Sequence, residues 1–289
     1  MKFAFIQAER AAHPVARLCH ALAVSRGGFY AWRGRAESKR SSDDRRLAVL
    51  VRAAHEESRK SYGSPRVHAD LLARDEHVGR KRVARLMRQQ SLKARVRRRY
   101  KSTTMSDHDQ PIAPNLLARQ FEASAPNQRW VGDTTELLAG NGKLFLAAVL
   151  DLYARLVVGW ALSAVNDRYL TLKALEQAVE RRSPDAGLLH HSDQGSPYAS
   201  EDYRERLASH GIICSMSRRG DCFDNAAMES WFSTLKFELG ERFDSANDAE
   251  HQLFDYIEVF YNQKRRHSSL GYATPAETER RYSIGSQPA

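Results

Sequence analysis

The chain has 289 residues, of which 42% are hydrophobic and 28% charged, a composition that can bury a core and is not that of a disordered protein. No run approaches 18 uninterrupted apolar residues, which argues against a membrane-spanning helix. The three cysteines show neither a Cys-x-x-Cys motif nor paired histidine spacing, which argues against a disulfide framework and a zinc site. A reduced cytosol is therefore expected.

The net charge of +10 originates in the N-terminal third of the chain. Residues 1–100 hold 25 Lys and Arg against 9 Asp and Glu, while the remainder is net acidic. A concentrated basic surplus is what binding to a phosphate backbone requires. A solvated basic surface would have the same composition, so the charge alone does not decide between the two.

Residues 1–38 predict a short helical N-terminal segment. Helices are expected over His13–Ala23 and after Ser25, which can cap the second helix. The aromatic residues of that second helix are expected to pack in a core rather than to stack on bases: Phe29, Tyr30 and Trp32.

Residues 39–101 predict an all-α domain of the helix-turn-helix type. After a polar linker at 36–44, helical runs are expected over Arg45–Glu57, from Ser64-Pro65 through the inward-facing Leu72, and over Gly79–Gln90. The last helix of such a unit enters the major groove of DNA. Its candidate DNA contacts are Arg80, Lys81, Arg82 and Arg85.

A basic tract, Arg95–Lys101, ends this domain and should be extended and attracted to phosphate. Its candidate DNA contacts are Arg97, Arg98 and Arg99. Residues 102–124 follow, beginning with a polar stretch that contains two prolines. We expect them to form an interdomain linker.

Residues 125–281 alternate strands and helices and predict an α/β fold. Trp130–Leu138 and Leu144–Tyr153 predict a hairpin around the turn at Gly140 to Gly142, and Leu156–Ala164 a third strand. Two further strands and four helices are then expected: Tyr169–Arg181 (helix), Gly187–Asp193 (strand), Glu201–His210 (helix), Ile212–Met216 (strand), Ala226–Gly240 (helix) and Asp248–Lys264 (helix). A flexible tail is expected over residues 282–289.

Three acidic residues stand at positions typical of metal ligands. Asp193 lies where a buried strand gives way to a loop, and Asp133 lies in a β-rich run where aspartate is unfavourable. Glu229 falls at the start of a helix for which Asn225 is the candidate cap. Such carboxylates suit a divalent metal that prefers oxygen ligands. Taken singly, Asp193 could cap its turn and Glu229 could be an ordinary exposed helix residue.

Four motifs occur in order along the chain: Trp130–Thr135, His191–Gly195, Asp224–Ser230 and Tyr261–Tyr272. They resemble the motifs of DDE transposases and retroviral integrases, and in particular the second-reading-frame transposases of the bacterial insertion-sequence family three. The 35 residues between Asp193 and Glu229 equal the separation that defines one branch of that superfamily. The resemblance covers nearly the whole chain.

The resemblance implies a ribonuclease-H-like catalytic core, with a mixed five-stranded sheet and flanking helices, preceded by the all-α helix-turn-helix region. It implies that Asp133, Asp193 and Glu229 hold two Mg²⁺ ions, for which Mn²⁺ can substitute, with Asp133 as the bridging ligand. Two such ions, about 3.5–4 Å apart, activate the attacking oxygen and stabilise the leaving oxygen of a phosphodiester. The implied function is metal-dependent strand cleavage and 3′-hydroxyl strand transfer at insertion-sequence ends.

The resemblance also implies the partners. These are double-stranded DNA of the element's terminal repeats and of the target, further copies of the chain on that DNA, and an upstream-frame protein or fusion. The expected location is the bacterial cytoplasm, in association with the nucleoid.

Further basic residues are candidates for contacts with the DNA end. Lys236 lies two helical turns after Glu229, hence on the same face of the helix, although ordinary surface charge is the alternative. Arg265 and Arg266 are expected to contact phosphate after the last helix. Glu136 departs from the family pattern, which has an aromatic residue there, and it adds charge to the site only if it faces the metals.

Three further residues near strand ends are not expected to be metal ligands. His190 and His191 are expected to be core residues or neighbours of the metal ligands rather than ligands themselves. Asp151 also lies at a strand end, but its match to the family motif is poor and it is left out of the site.

Two other classes of function stay open. The basic helices could belong to a DNA-binding repressor with an inactive core, or the core could be a nuclease that cuts without joining. Metal-dependent nicking would exclude the first, and joined products would exclude the second.

Overall fold

The computed structural model describes residues 1–95, 111–218 and 222–285. Three short helices open the chain: α1 (Lys2–Glu9), α2 (Val15–Ala21) and α3 (Arg26–Arg33). The sequence pattern predicts α2 and α3 but not α1. Across the described residues, no helix combines the length and the apolar character needed to cross a bilayer.

The three opening helices share a small core made of Ile6, Cys19 and Phe29. The Ser25 hydroxyl caps α3 as expected, accepting a hydrogen bond from the Gly28 amide at 3.0 Å. Of the aromatic residues expected in the core, Phe29 is buried but Tyr30 is 53% exposed. The predicted aromatic packing face is therefore partly wrong.

A three-helix unit follows, made of α4 (Lys39–Glu57), α5 (Ser64–Ala73) and α6 (Arg80–Gln89). Helix α4 begins at Lys39 because the Ser38 hydroxyl accepts a hydrogen bond from the Ser41 amide, so the predicted linker at 36–44 is wrong beyond residue 38. Helix α5 has Gly63 at its cap position. Leu72, expected to face inward, is 42% exposed.

The core is built on one mixed sheet with the strand order β3-β2-β1-β4-β5. Strands β1 (Arg129–Ala139), β2 (Gly142–Asp151) and β3 (Leu156–Ser163) are antiparallel neighbours. Strands β4 (Leu189–Ser192) and β5 (Ile213–Met216) run parallel to β1. The predicted five strands are confirmed, and a two-residue strand, β6 (Arg242–Phe243), also pairs with β1.

Helices cover both faces of the sheet. On one face lie α7 (Arg168–Arg182), α8 (Ser196–Ala199) and α9 (Glu201–Ser209), packed on Trp130 and its neighbours. Gly159 in β3 permits the close approach of α7, because a Cβ there would lie 2.2 Å from the Ala174 carbonyl oxygen.

The other face of the sheet is covered by α10 (Ala226–Glu238) and α11 (Ala246–Phe254). The predicted helix Asp248–Lys264 is not continuous, because α11 gives way to π-helical turns over Asp255–Tyr261. A last helix, α12 (Pro275–Gly285), is not predicted by the sequence pattern, and it spans the expected domain boundary at 281.

The unit α4–α6 packs against the C-terminal part of the core. The Tyr62 hydroxyl oxygen accepts a hydrogen bond from the Arg266 backbone amide at 2.6 Å. Arg59 forms an ion pair with Asp255 at 2.6 Å, and its guanidinium lies 5.5 Å from the centre of the Tyr256 ring. These contacts join the helical domain to the π-helical turns and to Arg266 in the segment that follows them.

Candidate active site

The sheet register brings Asp133 and Asp193 together. Strands β1 and β4 are parallel neighbours in which Val131 is paired with His191. Asp133 follows two residues later on β1, and Asp193 comes directly after the end of β4, close enough for the two charges to repel each other. Because side chains two residues apart share a face of a strand, the Asp133 carboxylate projects on the face of Val131, which α10 covers.

The environment of Asp133 is unfavourable for its negative charge. Its Oδ1 accepts a hydrogen bond from the Thr134 amide at 2.7 Å. Burial, then repulsion by Asp193, and finally Glu229 outweigh that bond and raise the pKa of Asp133 well above its usual range. A bound cation would remove this penalty.

The loop after β4 holds the Asp193 carboxylate in place. Its Oδ1 accepts a hydrogen bond from the Gly195 amide at 2.9 Å. A Cβ on Gly195 would lie 2.9 Å from the same oxygen, so a side chain at 195 would displace the carboxylate. The loop is fixed to the end of β5 by Gln194, whose Nε2 donates to the Ser217 carbonyl oxygen at 2.8 Å.

Glu229 lies in the first turn of α10, on the exposed side of that helix. The opposite side packs on the sheet through Met228, Trp231 and Leu235. Partial burial raises the pKa of Glu229. The Glu229 charge in turn contributes to the raised pKa of Asp133.

The donor set fits a hard divalent cation. Asp133 and Asp193, whose charges repel each other, and Glu229 in the first turn of α10 would offer such a cation oxygen ligands only. Among the described residues, no three acidic, histidine or cysteine side chains are already close enough to enclose a metal ion. The structure therefore brings two of the three predicted ligands side by side and leaves the third within electrostatic range.

The start of α10 is anchored by two residues of the Asp224–Ser230 motif. Asn225 occupies the cap position without a capping hydrogen bond. Its Nδ2 instead donates to the Gly132 carbonyl oxygen at 3.4 Å, which ties the helix to the residue before Asp133.

Asp224 is fully buried, and sequence reasoning gave it no role. Its carboxylate accepts hydrogen bonds from Asn115 at 2.7 Å, from Arg119 at 3.1 Å and from Arg218 at 3.1–3.2 Å. Burial raises the pKa of Asp224, but the hydrogen bonds from Arg218 and Arg119 have the larger combined effect and lower it to about 2. An acidic residue just before a helix is the signal that could have identified it.

Both histidines before Asp193 are buried, as expected. Burial lowers the pKa of His190 to about 3 and that of His191 to about 4, so both are neutral. His191 is hydrogen-bonded to Ser215 at 2.8 Å. Gly132 leaves room for His190, because a Cβ there would lie 2.9 Å from its Nε2.

Lys236 lies against β1 rather than free in solvent. Its Nζ donates to the Glu136 carbonyl oxygen at 2.9 Å, and its side chain is 30% exposed. Glu136 lies three residues from Asp133, hence on the opposite face of the strand, and its carboxylate accepts a hydrogen bond from Lys143 at 3.0 Å. Glu136 therefore adds no charge to the site. Lys236 as a DNA contact stays a prediction.

The candidate DNA contacts on α6 divide into two pairs. Arg80 and Lys81 are exposed at the start of the helix. Arg82 and Arg85 instead bind the two carboxylate oxygens of Asp44, each at 2.7 Å, and so join α6 to α4. The predicted contacts Arg97, Arg98 and Arg99 lie outside the described residues.

The prediction that Arg265 contacts DNA phosphate is wrong for this structure. Its side chain is 6% exposed and is paired with Glu238, which is 1% exposed, at 2.8 Å. Burial lowers the pKa of Arg265, but the hydrogen bonds to Glu238 raise it above its usual value. The Glu238 carboxylate also accepts a hydrogen bond from Tyr256 at 2.8 Å. Arg265 therefore fixes the C-terminal end of α10.

Arg266 is also engaged within the protein. Its Nη1 donates to Glu277 at 2.6 Å, its Nε lies 3.7 Å from Asp70, and its side chain is 11% exposed. This placement of Arg266, paired with acidic residues of the chain, does not match the expected contact with phosphate.

Asp151 has a structural role, in agreement with its omission from the site. It is fully buried, and its carboxylate accepts hydrogen bonds from the amides of Asn127 at 2.7 Å and Tyr153 at 2.8 Å. The Trp130 indole donates to it as well, at 3.2 Å.

Comparison with known proteins agrees with this architecture. An HTH-like domain matches residues 42–100, and integrase core domains match residues 123–222 and 210–275. The 31 kDa protein of insertion element IS600 from Shigella sonnei is 41% identical over 267 residues, which are 92% of this chain and 98% of the relative. The InsF transposase of insertion sequence IS3A from Escherichia coli is 38% identical over 283 residues, which are 96% of this chain and 98% of the relative.

The chain belongs to the IS3 transposase family. The resemblance deduced from the motifs is therefore confirmed, and the activity of this IS3-family protein is DNA transposition by polynucleotidyl transfer. Among solved structures, the catalytic core of HTLV-2 integrase in complex with magnesium is 18% identical, with a TM-score of 0.43. It covers 54% of this chain, while 98% of the HTLV-2 chain is matched.

Proposed function

We propose that this transposase uses Asp133, Asp193 and Glu229 to hold two divalent metal ions, Mg²⁺ with Mn²⁺ as a substitute. With them it would cleave a strand at the element end. The exposed 3′ hydroxyl would then attack a phosphodiester of the target DNA, so that a new phosphodiester joins element and target while the bond to the target's own 3′ oxygen breaks. The observation that supports this proposal is the parallel pairing of β1 with β4, which brings the end of β4, directly before Asp193, to the strand that carries Asp133, while Asn225 ties the start of α10 to Gly132. When bound, the two metals would activate the attacking oxygen and neutralise the leaving oxygen.

The roles of the three carboxylates follow from their positions. Asp133, whose charge is opposed by both other acids, is the best candidate for a ligand shared between two cations. Asp193 is held by the Gly195 amide and would serve one cation, while Glu229 would serve the other. Asn225 keeps the start of α10 against Gly132, so that Glu229 stays above the aspartate pair.

A side-chain nucleophile of the protein is disfavoured. Tyr198 is a buried hydroxyl near the aspartates, hydrogen-bonded to Thr134 at 3.2 Å. Burial, Tyr203 and Asp133 raise the pKa of Tyr198 well above its usual value, which opposes formation of the reactive phenolate. Water and the DNA 3′ hydroxyl are therefore the proposed nucleophiles.

Double-stranded DNA is the proposed partner, bound as element ends and as target. The exposed residues Arg80 and Lys81 at the start of α6 support phosphate or base contacts by the helical domain. Association of several copies on DNA and cooperation with an upstream-frame protein are proposed on the family resemblance. The proposed location is the bacterial cytoplasm, where donor and target DNA lie.

The test is a strand-joining assay with a labelled element end, a target duplex, and Mg²⁺ or Mn²⁺. Asp133→Asn, Asp193→Asn and Glu229→Gln should each abolish joining. Glu136→Gln is the matched control, because Glu136 lies on the same strand as Asp133 but on its other face. Activity in the three site variants would refute the assignment. Cleavage without joining would favour the nuclease function or a need for the upstream-frame protein, and bound DNA without chemistry would favour a repressor.

A further inference from the structure

A crevice of about 460 Å³ separates the helical domain from the C-terminal part of the core. Its walls come from α5 and from the first residue of α6 on one side, and from residues 271–273 and α12 on the other. Its lining is mostly apolar and includes Pro65, Leu72 and Ala273.

Two arginines from different domains line this crevice. Arg80 is the first residue of α6, and Arg281 lies on α12. Both are exposed. Within the part of the chain that the structure describes, neither side chain has a hydrogen bond or an ion pair, although Arg281 interacts electrostatically with Glu277.

The third arginine of the crevice, Arg266, is already neutralised by Glu277 and Asp70. Glu277 is the carboxylate on which Arg281 acts electrostatically, but it is bound by Arg266 at 2.6 Å and by the Thr274 amide at 2.9 Å. The crevice lining contains no aspartate or glutamate among the described residues. An anionic group from outside would therefore meet no repelling carboxylate in the lining.

We propose that Arg80 and Arg281 together bind one phosphate of the DNA backbone in this crevice. Arginine is suited to phosphate because its planar donors bind two oxygens at once. The apolar part of the lining suits the adjoining deoxyribose. The proposal rests on the proposed function, because it takes duplex DNA as the partner of the chain.

The position of Arg80 favours DNA over another anionic partner. In helix-turn-helix domains the N-terminal residues of the last helix face the DNA, and Arg80 opens that helix. A duplex seated on α6 would then extend over α12. The core, and not the helical domain alone, would contribute to holding the same DNA segment.

The test is equilibrium binding of the full chain to a fluorescent 30-base-pair duplex of mixed sequence, without divalent metal. Phosphate contacts do not depend on sequence, so this duplex suffices. Arg281→Gln should weaken binding about tenfold and reduce the slope of log affinity against log salt by about 0.9. Arg280→Gln is the matched control, because Arg280 is exposed on the same helix, outside the crevice lining, and bonded to its own helix through Ala276.

A double-variant cycle sharpens the assignment. If Arg80 and Arg281 bind the same phosphate, the loss in Arg80→Gln/Arg281→Gln should differ from the product of the single losses. Equal losses in Arg280→Gln and Arg281→Gln would overturn the proposal, because they would reflect overall charge. A change in oligomer mass at unchanged DNA affinity would also overturn it, because the crevice would then hold another copy of the chain.

These outcomes are separate from failure of the proposed function. If wild type and Arg281→Gln bind duplex DNA equally well, the crevice site alone is refuted. Wild type that binds no duplex at low salt would refute DNA as the partner, and with it both proposals. Thermal unfolding of each variant shows that the comparison is made between folded proteins.

Discussion

Two groups of carboxylates lie near α10, and their surroundings are opposite. Arginines bind the carboxylates of the first group, while the carboxylates of the second group repel each other. Asp224 and Glu238, near the two ends of the helix, are buried and bound by arginines. Asp133 is also buried, and this burial together with repulsion by Asp193 raises its pKa. The pKa of Asp224 is instead lowered to about 2.

The difference separates carboxylates that hold the fold together from the carboxylates that are proposed to bind metal. An acid neutralised by arginine within the chain cannot gain much from an added cation. An acid opposed by other acids can. Removing a charge from the first group should therefore destabilise the fold, while removing a charge from the second group should leave the stability of the fold unchanged or higher.

The largest expected effect comes from Arg265→Met. This change leaves the buried Glu238 carboxylate without its cation and should lower the free energy of unfolding by about 3–5 kcal/mol. Urea unfolding followed by circular dichroism measures it. In Glu238→Gln/Arg265→Met most of the loss should be recovered, because no buried charge is then unpaired. A double variant as unstable as the single would contradict this account.

Asp133→Asn should act on activity instead of stability. Joining should fall at least about a thousandfold, or about 4 kcal/mol of transition-state stabilisation, because a metal ligand is lost. In metal-free buffer its free energy of unfolding should equal or exceed that of wild type, since a repelling charge is removed. A clear loss of stability would place Asp133 with the structural acids.

Asp224 should make stability depend on acid pH. Its folded pKa of about 2 lies below the usual 3.8, so the ionised form stabilises the fold above pH 4, and this contribution is lost as the pH falls from about 4 to 2. The loss should be about 2 kcal/mol greater in wild type than in Asp224→Asn. Parallel curves of unfolding free energy against pH for the two proteins would rule out this role.

The smallest expected effect is stabilisation by metal. At ten times its dissociation constant, Mn²⁺ should raise the free energy of unfolding of wild type by about 1.4 kcal/mol. Asp133→Asn should lose this gain, while Arg265→Met, though less stable, should keep it. Equal stabilisation of wild type and Asp133→Asn would show that the cation binds elsewhere.

Local patterns in the sequence predicted the sheet well. Strands β1 to β5 and helix α7 lie within a few residues of their expected bounds, because alternation and turn residues act over short distances. The alignment of Asp133 with Asp193 needed the resemblance, since register between β1 and β4 joins residues 60 positions apart. The predicted start of α4 at Arg45 is later than the observed start at Lys39, because the polar first turns of the helix carry no apolar period.

Long-range partners account for the remaining errors. Arg265 was predicted to contact DNA because it stands in a basic run, Arg265-Arg266-His267. Its partner, Glu238, lies 27 residues earlier, and no local pattern joins the two. In the π-helical turns over Asp255–Tyr261 the residues per turn change, so a search for α-helical period merges them with α11.

The contact between Tyr62 and the Arg266 amide has a consequence for building hybrid transposases. An exchange of residues 1–95 between relatives to redirect the choice of DNA would also exchange Arg59, which contacts the π-helical turns, and Tyr62, which contacts Arg266 after them. Arg265, next in the chain to Arg266, holds the helix that carries Glu229. The N-terminal helical region therefore cannot be exchanged independently of the core, and a grafted region must have compatible residues at positions 59 and 62.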